Sequence, residues 1–350
     1  MRKRVYLHVG WEKTGSSALQ VFCARNQQWL QKRGFHYPLM GQLPQHIALY
    51  QDLRKGYTGL MQRSCDAIRA EVEKCEQESM IFSHESLHSC SPAMFAHIFD
   101  GCDVRIVGYT RRPDAAMISF FVTMVRFGEM PVHNLYKTIR MFAKTNLGHF
   151  DYYWALRGFV SEFGRDAVTV RHYDRDELVG GQTVSDFMHV LGVDDLGGSK
   201  WPEDTANPSL DVDQFALVLA FAKSMRGMPG PKIKNMSRLL SNAMIYNTTP
   251  DRLRSVERFV PVSFRERLLS CWSGSFPMLY DEFFDGRAVF EDTDWVMQSE
   301  AYGGMDAGRG AEFEKVVRKA KVIPDEHRDD LCRLIEGLVE REPAVGFAGG

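Results

Sequence analysis

The sequence predicts an α/β protein, a P-loop-like parallel sheet flanked by helices on both faces, with a helical C-terminal extension. Three observations point there. Short apolar runs of strand length alternate with helix-patterned segments through the first half of the chain. The first of these runs leads into the loop Gly10-Trp11-Glu12-Lys13-Thr14-Gly15-Ser16-Ser17, which opens a helical pattern, as phosphate-cradling loops do. A second chemically distinctive stretch, Arg111-Arg112-Pro113, also falls at the exit of a strand, the end of a parallel sheet where ligands collect.

In order along the chain, strands are expected at 5–9, 79–83, 103–109 and 167–173. A first long helix should run from Ser16 to Arg33, with Gly34 as its stop. A second helical stretch covers Thr58 to Gln77 and a third Asp114 to Phe127, with Pro113 fitting the first turn. The apolar run Phe215–Ala222, flanked by Asp213 and Lys223, reads as a buried helix. From about Gly303 the residues become Gly-rich and charged. Ala311–Lys321 and Asp325–Arg341 are amphipathic tail helices separated by Pro324, and Ala344–Gly350 reads as a loose end. The expected organisation is one domain over 1–300 and a tail over 301–350, a solvated flank or an interaction segment.

Composition bounds the function. The 350 residues suffice for one large α/β domain or two smaller ones. With 43 Lys and Arg against 45 Asp and Glu the net charge is −2, which argues against a nucleic-acid partner and makes any basic site local. No apolar run reaches the length of a membrane span. Met1-Arg2-Lys3-Arg4 is basic but leads into a strand too short for a signal-peptide core. The seven cysteines are scattered, without a C-x-x-C pair, and read as reduced thiols of a cytoplasmic protein. On that reading the sequons at Asn235 and Asn247 arise by chance. Oligomeric state is not readable.

The first loop keeps the glycine spacing of G-x-x-x-x-G-K-[ST], but Ser16 stands where that motif has lysine and Lys13 comes three residues early. Backbone amides, a helix N-terminus, the Thr14, Ser16 and Ser17 hydroxyls and the mobile charge of Lys13 suit an anion. The displaced lysine suggests a phosphate ligand other than a Mg-nucleoside triphosphate. The plain alternative is a tight turn and N-cap at Gly15-Ser16 with no ligand. Downstream, Val104–Thr110 reads as a buried strand. Arg111 at its exit and Ser119 two helical turns on could converge on one phosphate.

Together these stretches resemble the PAPS-dependent sulfotransferases, most closely in wording the bacterial members. Lys13-Thr14-Gly15-Ser16-Ser17 matches the family's K-[TS]-G-[TS]-[TS] loop, and Arg111 to Ser119 matches its R-x-x-x-x-x-x-x-S joint. The resemblance implies that Lys13, Thr14, Gly15, Ser16 and Ser17 grip the 5′-phosphosulfate of 3′-phosphoadenosine 5′-phosphosulfate (PAPS). It implies likewise that Arg111 and Ser119 grip the 3′-phosphate. A weaker match is Val168–Asp174, a strand ending in Tyr173-Asp174, where a family tyrosine approaches the adenine. Asn207-Pro208-Ser209-Leu210 also resembles a segment of the bacterial group. Where cytosolic animal enzymes carry a tryptophan against the base, this chain has Ala18.

His84-Glu85-Ser86-Leu87-His88 fits H-E-x-x-H, the zinc-protease pattern, but follows the strand Met80–Ser83 instead of lying within a long helix. No third ligand is placed for it, so no metal is expected. Its position suggests another role. Family members carry a catalytic histidine at this strand end, or a glutamate after the first helix. Sulfuryl transfer needs a base for the acceptor hydroxyl. The candidates are Glu85 first and His46 second, with His84 and His36 also in range. A helix cap or ion pair at Glu85, and a locally satisfied histidine at 46, are the structural alternatives.

The expected activity is metal-free in-line transfer from PAPS to a hydroxyl or amine of a saccharide or small-molecule acceptor, with Lys13 stabilising the leaving phosphate. A P-loop small-molecule kinase, a non-catalytic nucleotide- or glycan-binding protein and, remotely, the zinc protease are the alternatives. Aromatic residues crowd the segment after Ser119, from Phe120 to Trp154; they could floor an acceptor site but are more often core.

Overall fold

The computed structural model describes residues 2–39, 46–54, 59–130, 135–201, 210–225, 230–248, 255–290 and 304–340. Of the Asn207–Leu210 segment only Leu210 falls within them, and Ala344–Gly350 lies outside. The elements in chain order are β1 (Arg4–Gly10), α1 (Ser16–Arg25), α2 (Gln27–Gln31), β2 (Phe35–His36), α3 (Ile47–Arg54), α4 (Gly59–Lys74) and β3 (Ser79–Ser83). Then come α5 (Pro92–Ile98), β4 (Asp103–Thr110), α6 (Pro113–Arg126), α7 (Leu135–Asn146), α8 (Tyr152–Phe163), β5 (Val168–His172) and α9 (Thr183–Val190). The remainder is helical: α10 (Val212–Ser224), α11 (Gly230–Asn247), α12 (Val262–Ser270), α13 (Phe276–Phe283), α14 (Ala307–Lys319) and α15 (Asp325–Glu340). No helix among the described residues is long and apolar enough to cross a membrane.

The chain divides into two compact units: Met1–Arg112 with Asp151–Asn207 and Trp272–Phe290, and Pro113–Phe150 with Pro208–Cys271 and Glu291–Gly350. The first holds a five-stranded, all-parallel sheet in the order β2-β3-β1-β4-β5. From β1 the chain passes first to β2 at one edge, returns to lay β3 between β2 and β1, then crosses to β4 and β5 on the other side. The reversal therefore falls between β1 and β4, and their carboxyl ends form the crevice where such sheets bind ligands.

Both faces of the sheet are covered, which is why β1 is buried from Val5 onward. On one face Tyr6, Ile81, Val107 and Tyr109 pack against Leu19 and Phe22 of α1 and Val184 and Phe187 of α9. On the other, the bare face of Gly108 is covered by Leu156 of α8 and flanked by Val9 and Trp11, and Phe95 of α5 stacks on Phe159 of α8.

The single helix expected from Ser16 to Arg33 is two. Asn26 leaves the helical region (φ −112°, ψ 25°), because its side chain is drawn away to residue 200: Nδ2 donates to the Lys200 carbonyl (2.7 Å) and Oδ1 accepts from the Lys200 amide (2.7 Å). The two-residue β2, unseen in the sequence, pairs with β3 just beyond Gly34.

The second unit is helical. The apolar run of the sequence is α10, opened by Asp211, whose carboxylate accepts from the amides of Asp213 and Gln214 while Gln214 Oε1 accepts from the Asp211 amide. Asp114 in the first turn of α6 forms a fully buried ion pair with Arg265 of α12 (3.0 Å). The C-terminal helices α14 and α15 are not a solvated flank. Phe313, Val317, Leu331 and Ile335 are buried, with α15 against α10 and α14 against α11.

Candidate functional site

The first loop leaves β1 at Gly10 in a conformation reserved for glycine (φ +112°), and a Cβ there would lie 1.9 Å from the Glu85 carbonyl oxygen. The loop thus passes hard against the turn that follows β3. Trp11 is buried, its amide donating to the Tyr109 carbonyl (3.3 Å) and its ring stacked on His88 and edge-on to Tyr152. Beyond it the chain turns through Lys13 (φ +67°) and Gly15 (φ +83°). The Thr14 hydroxyl closes the turn by donating to the Trp11 carbonyl (2.5 Å).

Two contacts orient the peptides of this turn. Arg111 Nη1 donates to the Lys13 carbonyl (3.4 Å), and the Thr183 hydroxyl donates to the Thr14 carbonyl (3.0 Å). In a planar trans peptide the carbonyl and the following N–H point in opposite directions. Fixing those carbonyls against the protein therefore aims the amides of Thr14 and Gly15 the other way. Gly15 caps α1 without a side chain, and no acidic residue sits in the helix's first turn. The helix dipole then adds positive potential where these amides point.

Arg111 stands where the sequence places it, one residue past β4, its carbonyl held by the Tyr152 hydroxyl (2.7 Å). Its guanidinium lies 5.9 Å from the centroid of the Tyr173 ring, and Tyr173 is tied to the strand end by its amide on the Thr110 carbonyl (2.7 Å). Lys13, Thr14, Gly15, Arg111 and Tyr173 are thus drawn together at the carboxyl ends of β1, β4 and β5. Ser16 is buried and Ser17 half-buried in the first turn of α1. Ser119 belongs to the second unit, buried in α6, its carbonyl accepting from Thr123 Oγ1 (3.0 Å).

The turn after β3 brings Glu85 beside the same loop. Its Oε2 accepts from Gln20 Nε2 on α1 (3.0 Å), and the neighbouring Ser86 hydroxyl donates to Glu12 (2.9 Å). The H-E-x-x-H residues do not share an α-helix. His84 to Ser86 form a turn and Leu87–Ser89 a single 3-10 turn. His84 stacks on Tyr50, its Nδ1 accepting from the Ser86 amide (3.1 Å). His88 Nδ1 lies 2.9 Å from the Glu85 carbonyl, to which it donates.

His46 is differently placed. It is buried, Nδ1 accepting from the Ser83 amide (2.9 Å) and Nε2–H donating to the Pro38 carbonyl (2.7 Å). Burial pushes its pKa down to about 4, against a smaller upward pull from those bonds. With both nitrogens engaged by backbone, this imidazole braces the entry of α3 against β3. His8, under the loop in β1, is pushed down to about 3 by burial, with nearby His84 adding to the effect.

Sequence reasoning missed Gln20 and Thr183, and it noted Tyr152 only as one of the aromatic residues after Ser119. Thr183 left a trace, a hydroxyl residue at the start of a helix after the Tyr173 strand.

No family model matches the sequence, and no curated protein does. A solved structure of a sulfotransferase from Alicyclobacillus acidocaldarius aligns over 71% of this chain and 98% of that one, at 15% identity and a TM-score of 0.39. A likeness of that degree leaves the chemistry to be read from the residues themselves.

Proposed function

We propose that the chain is a sulfotransferase that takes its sulfuryl group from PAPS. The observation that carries this reading is the meeting of the Lys13–Gly15 loop with Arg111, whose Nη1 reaches the Lys13 carbonyl (3.4 Å). An amide cradle and two cations at one sheet crevice suit a ligand with separated anionic groups. In a nucleoside triphosphate site of the usual kind the motif lysine would stand at Ser16.

On this reading the amides of Thr14 and Gly15, with the Ser16 and Ser17 hydroxyls, hold the 5′-phosphate. Arg111 takes the 3′-phosphate, with Ser119 assigned to it by sequence spacing alone. Tyr173 borders the base. PAPS as substrate supplies sulfur already bonded to a good leaving group. The acceptor's hydroxyl oxygen or amine nitrogen attacks that sulfur in line, the bond from sulfur to the bridging oxygen breaks, and adenosine 3′,5′-bisphosphate departs with the electron pair. Glu85 receives the acceptor's proton, held in place by Gln20, and Lys13 offsets the charge that grows on the leaving phosphate. His46 is left out of the chemistry because its one N–H and its one lone pair are both in use. The acceptor is a hydroxyl or amine of a saccharide or other small molecule, and the transfer needs no metal.

Thermal unfolding tests the reading. Adenosine 3′,5′-bisphosphate should raise Tm by mass action, and AMP much less, because only the first nucleotide engages Arg111. Arg111→Ala should erase most of the difference. Equal shifts from the two nucleotides would remove the 3′-phosphate assignment, and Mg-dependent turnover of ATP would move the chain to the kinases.

A further inference from the structure

We propose that Thr183 is a positioning residue for the phosphate loop, set in place by the buried carboxylate of Asp186; the inference rests on the nucleotide reading above. Thr183 opens α9, and its hydroxyl reaches across to the Thr14 carbonyl (3.0 Å). The contact is close as well as polar. A Cβ on Gly15 would lie 2.2 Å from Thr183 Oγ1, so the loop and the helix start fit together only with glycine at 15. Because Thr183 holds the carbonyl of the Thr14–Gly15 peptide, it decides which way the Gly15 amide faces.

A hydroxyl can set a peptide plane only if it is itself held still. Three residues on, and so on the same side of the helix, Asp186 is completely buried. Its Oδ1 accepts from the Tyr109 hydroxyl (2.8 Å) and Arg171 Nε (2.9 Å). Its Oδ2 accepts from Arg171 Nη2 (2.5 Å) and the Val179 amide (3.1 Å). One carboxylate thus ties α9 to β4, to β5 and to the loop that precedes it. Burial disfavours its charge, but Arg171, Val179 and Tyr109 outweigh burial and keep its pKa below the usual carboxylate range. It stays ionised at neutral pH and so keeps all four bonds. The apolar contact of Val184 and Phe187 with Leu19 and Phe22 completes a rigid path from the sheet to the cradle. Thr183 touches no reacting atom; it acts through the loop.

The experiment compares wild type, Thr183→Val and Thr183→Ser. Valine keeps the shape and loses the donor, and serine restores it. In free protein Thr183→Val should speed amide exchange over residues 13–18. It should also weaken adenosine 3′,5′-bisphosphate binding and raise KM for PAPS about tenfold each, the size of one hydrogen bond, with kcat changed less. Thr183→Ser should recover all three. Wild-type exchange and affinity in Thr183→Val, or a serine variant no better than valine, would overturn the proposal. Should valine not fold, Thr183→Ala against Thr183→Ser makes the same comparison. A wild-type protein that binds no adenosine 3′,5′-bisphosphate would sink the nucleotide reading instead, while the exchange measurement still decides whether Thr183 orders the loop.

Discussion

Acid should unfold this protein through two histidines, and the slope of that loss separates structure from catalysis at His46. An unfolded histidine titrates near 6.5, whereas His46 is held to about 4 and His8 to about 3. Each folded pKa is depressed, so the stabilisation is complete above pH 6.5. It shrinks as pH falls and the unfolded chain takes up protons that the native state refuses. At about 1.4 kcal/mol per unit, His46 accounts for roughly 3 kcal/mol lost between pH 6.5 and 4. With His8 the loss approaches about 8 kcal/mol by pH 3, comparable with the whole stability of an ordinary domain. Urea titrations from pH 7 to pH 4 would read it. His46→Gln cannot bind the proton, and its amide can still donate to Pro38. At pH 7 it should cost about 1–3 kcal/mol for the unsatisfied Ser83 amide, and its stability should fall less steeply over the same window. Turnover per folded molecule should stay within a few-fold of wild type. Parallel pH slopes in the two proteins would refute the structural role, and a folded His46→Gln with turnover down by orders of magnitude would make His46 the base.

Two substitutions test the site's construction. Gly10→Ala forces a Cβ to within 1.9 Å of the Glu85 carbonyl at φ +112° and should cost roughly 3 kcal/mol or more, seen as a lowered urea midpoint; an unchanged midpoint would show that the two turns do not press together as described. Glu85→Gln keeps the shape but cannot accept a proton, so kcat should fall by about two to four orders of magnitude while adenosine 3′,5′-bisphosphate binds as before. Near-normal kcat would remove Glu85 from the chemistry.

The strands were legible because burial on both faces leaves uninterrupted apolar runs. Val5 to Val9, Met80 to Ser83 and Val104 to Thr110 each lie within a few residues of the observed strand. β2 was not, because two residues carry no periodicity and pair only once β3 exists. The break at Asn26 was hidden for a related reason: Lys200, which draws the side chain out of the helix, is far away in sequence. The site shows the same division. Glycine spacing and the Lys13 and Arg111 charges could be read locally. Local reading could not show that His46 spends both nitrogens on Ser83 and Pro38, or that Thr183 and Gln20 reach the loop and Glu85. Those contacts join segments that only the closed sheet brings together.

The backbone at Lys13 draws these strands of reasoning to one point. Its φ of +67° places a long L-residue in the left-handed region, where only Asp285 joins it among the described non-glycine residues, at a cost of about 1–2 kcal/mol. Glycine would make the same turn without that cost. The chain places a lysine there against backbone preference, and strain of this kind gathers at sites where the surroundings over-determine the backbone. The turn is held on the far side by Thr14 on Trp11, by Arg111 on the Lys13 carbonyl and by Thr183 on the Thr14 carbonyl. Glycine could supply the turn, so what lysine adds to this loop is its side-chain charge. On the proposed function that charge is the one that offsets the departing phosphate, so Lys13→Gly should keep the turn and lower kcat more than adenosine 3′,5′-bisphosphate affinity, and an unchanged kcat would remove Lys13 from the chemistry.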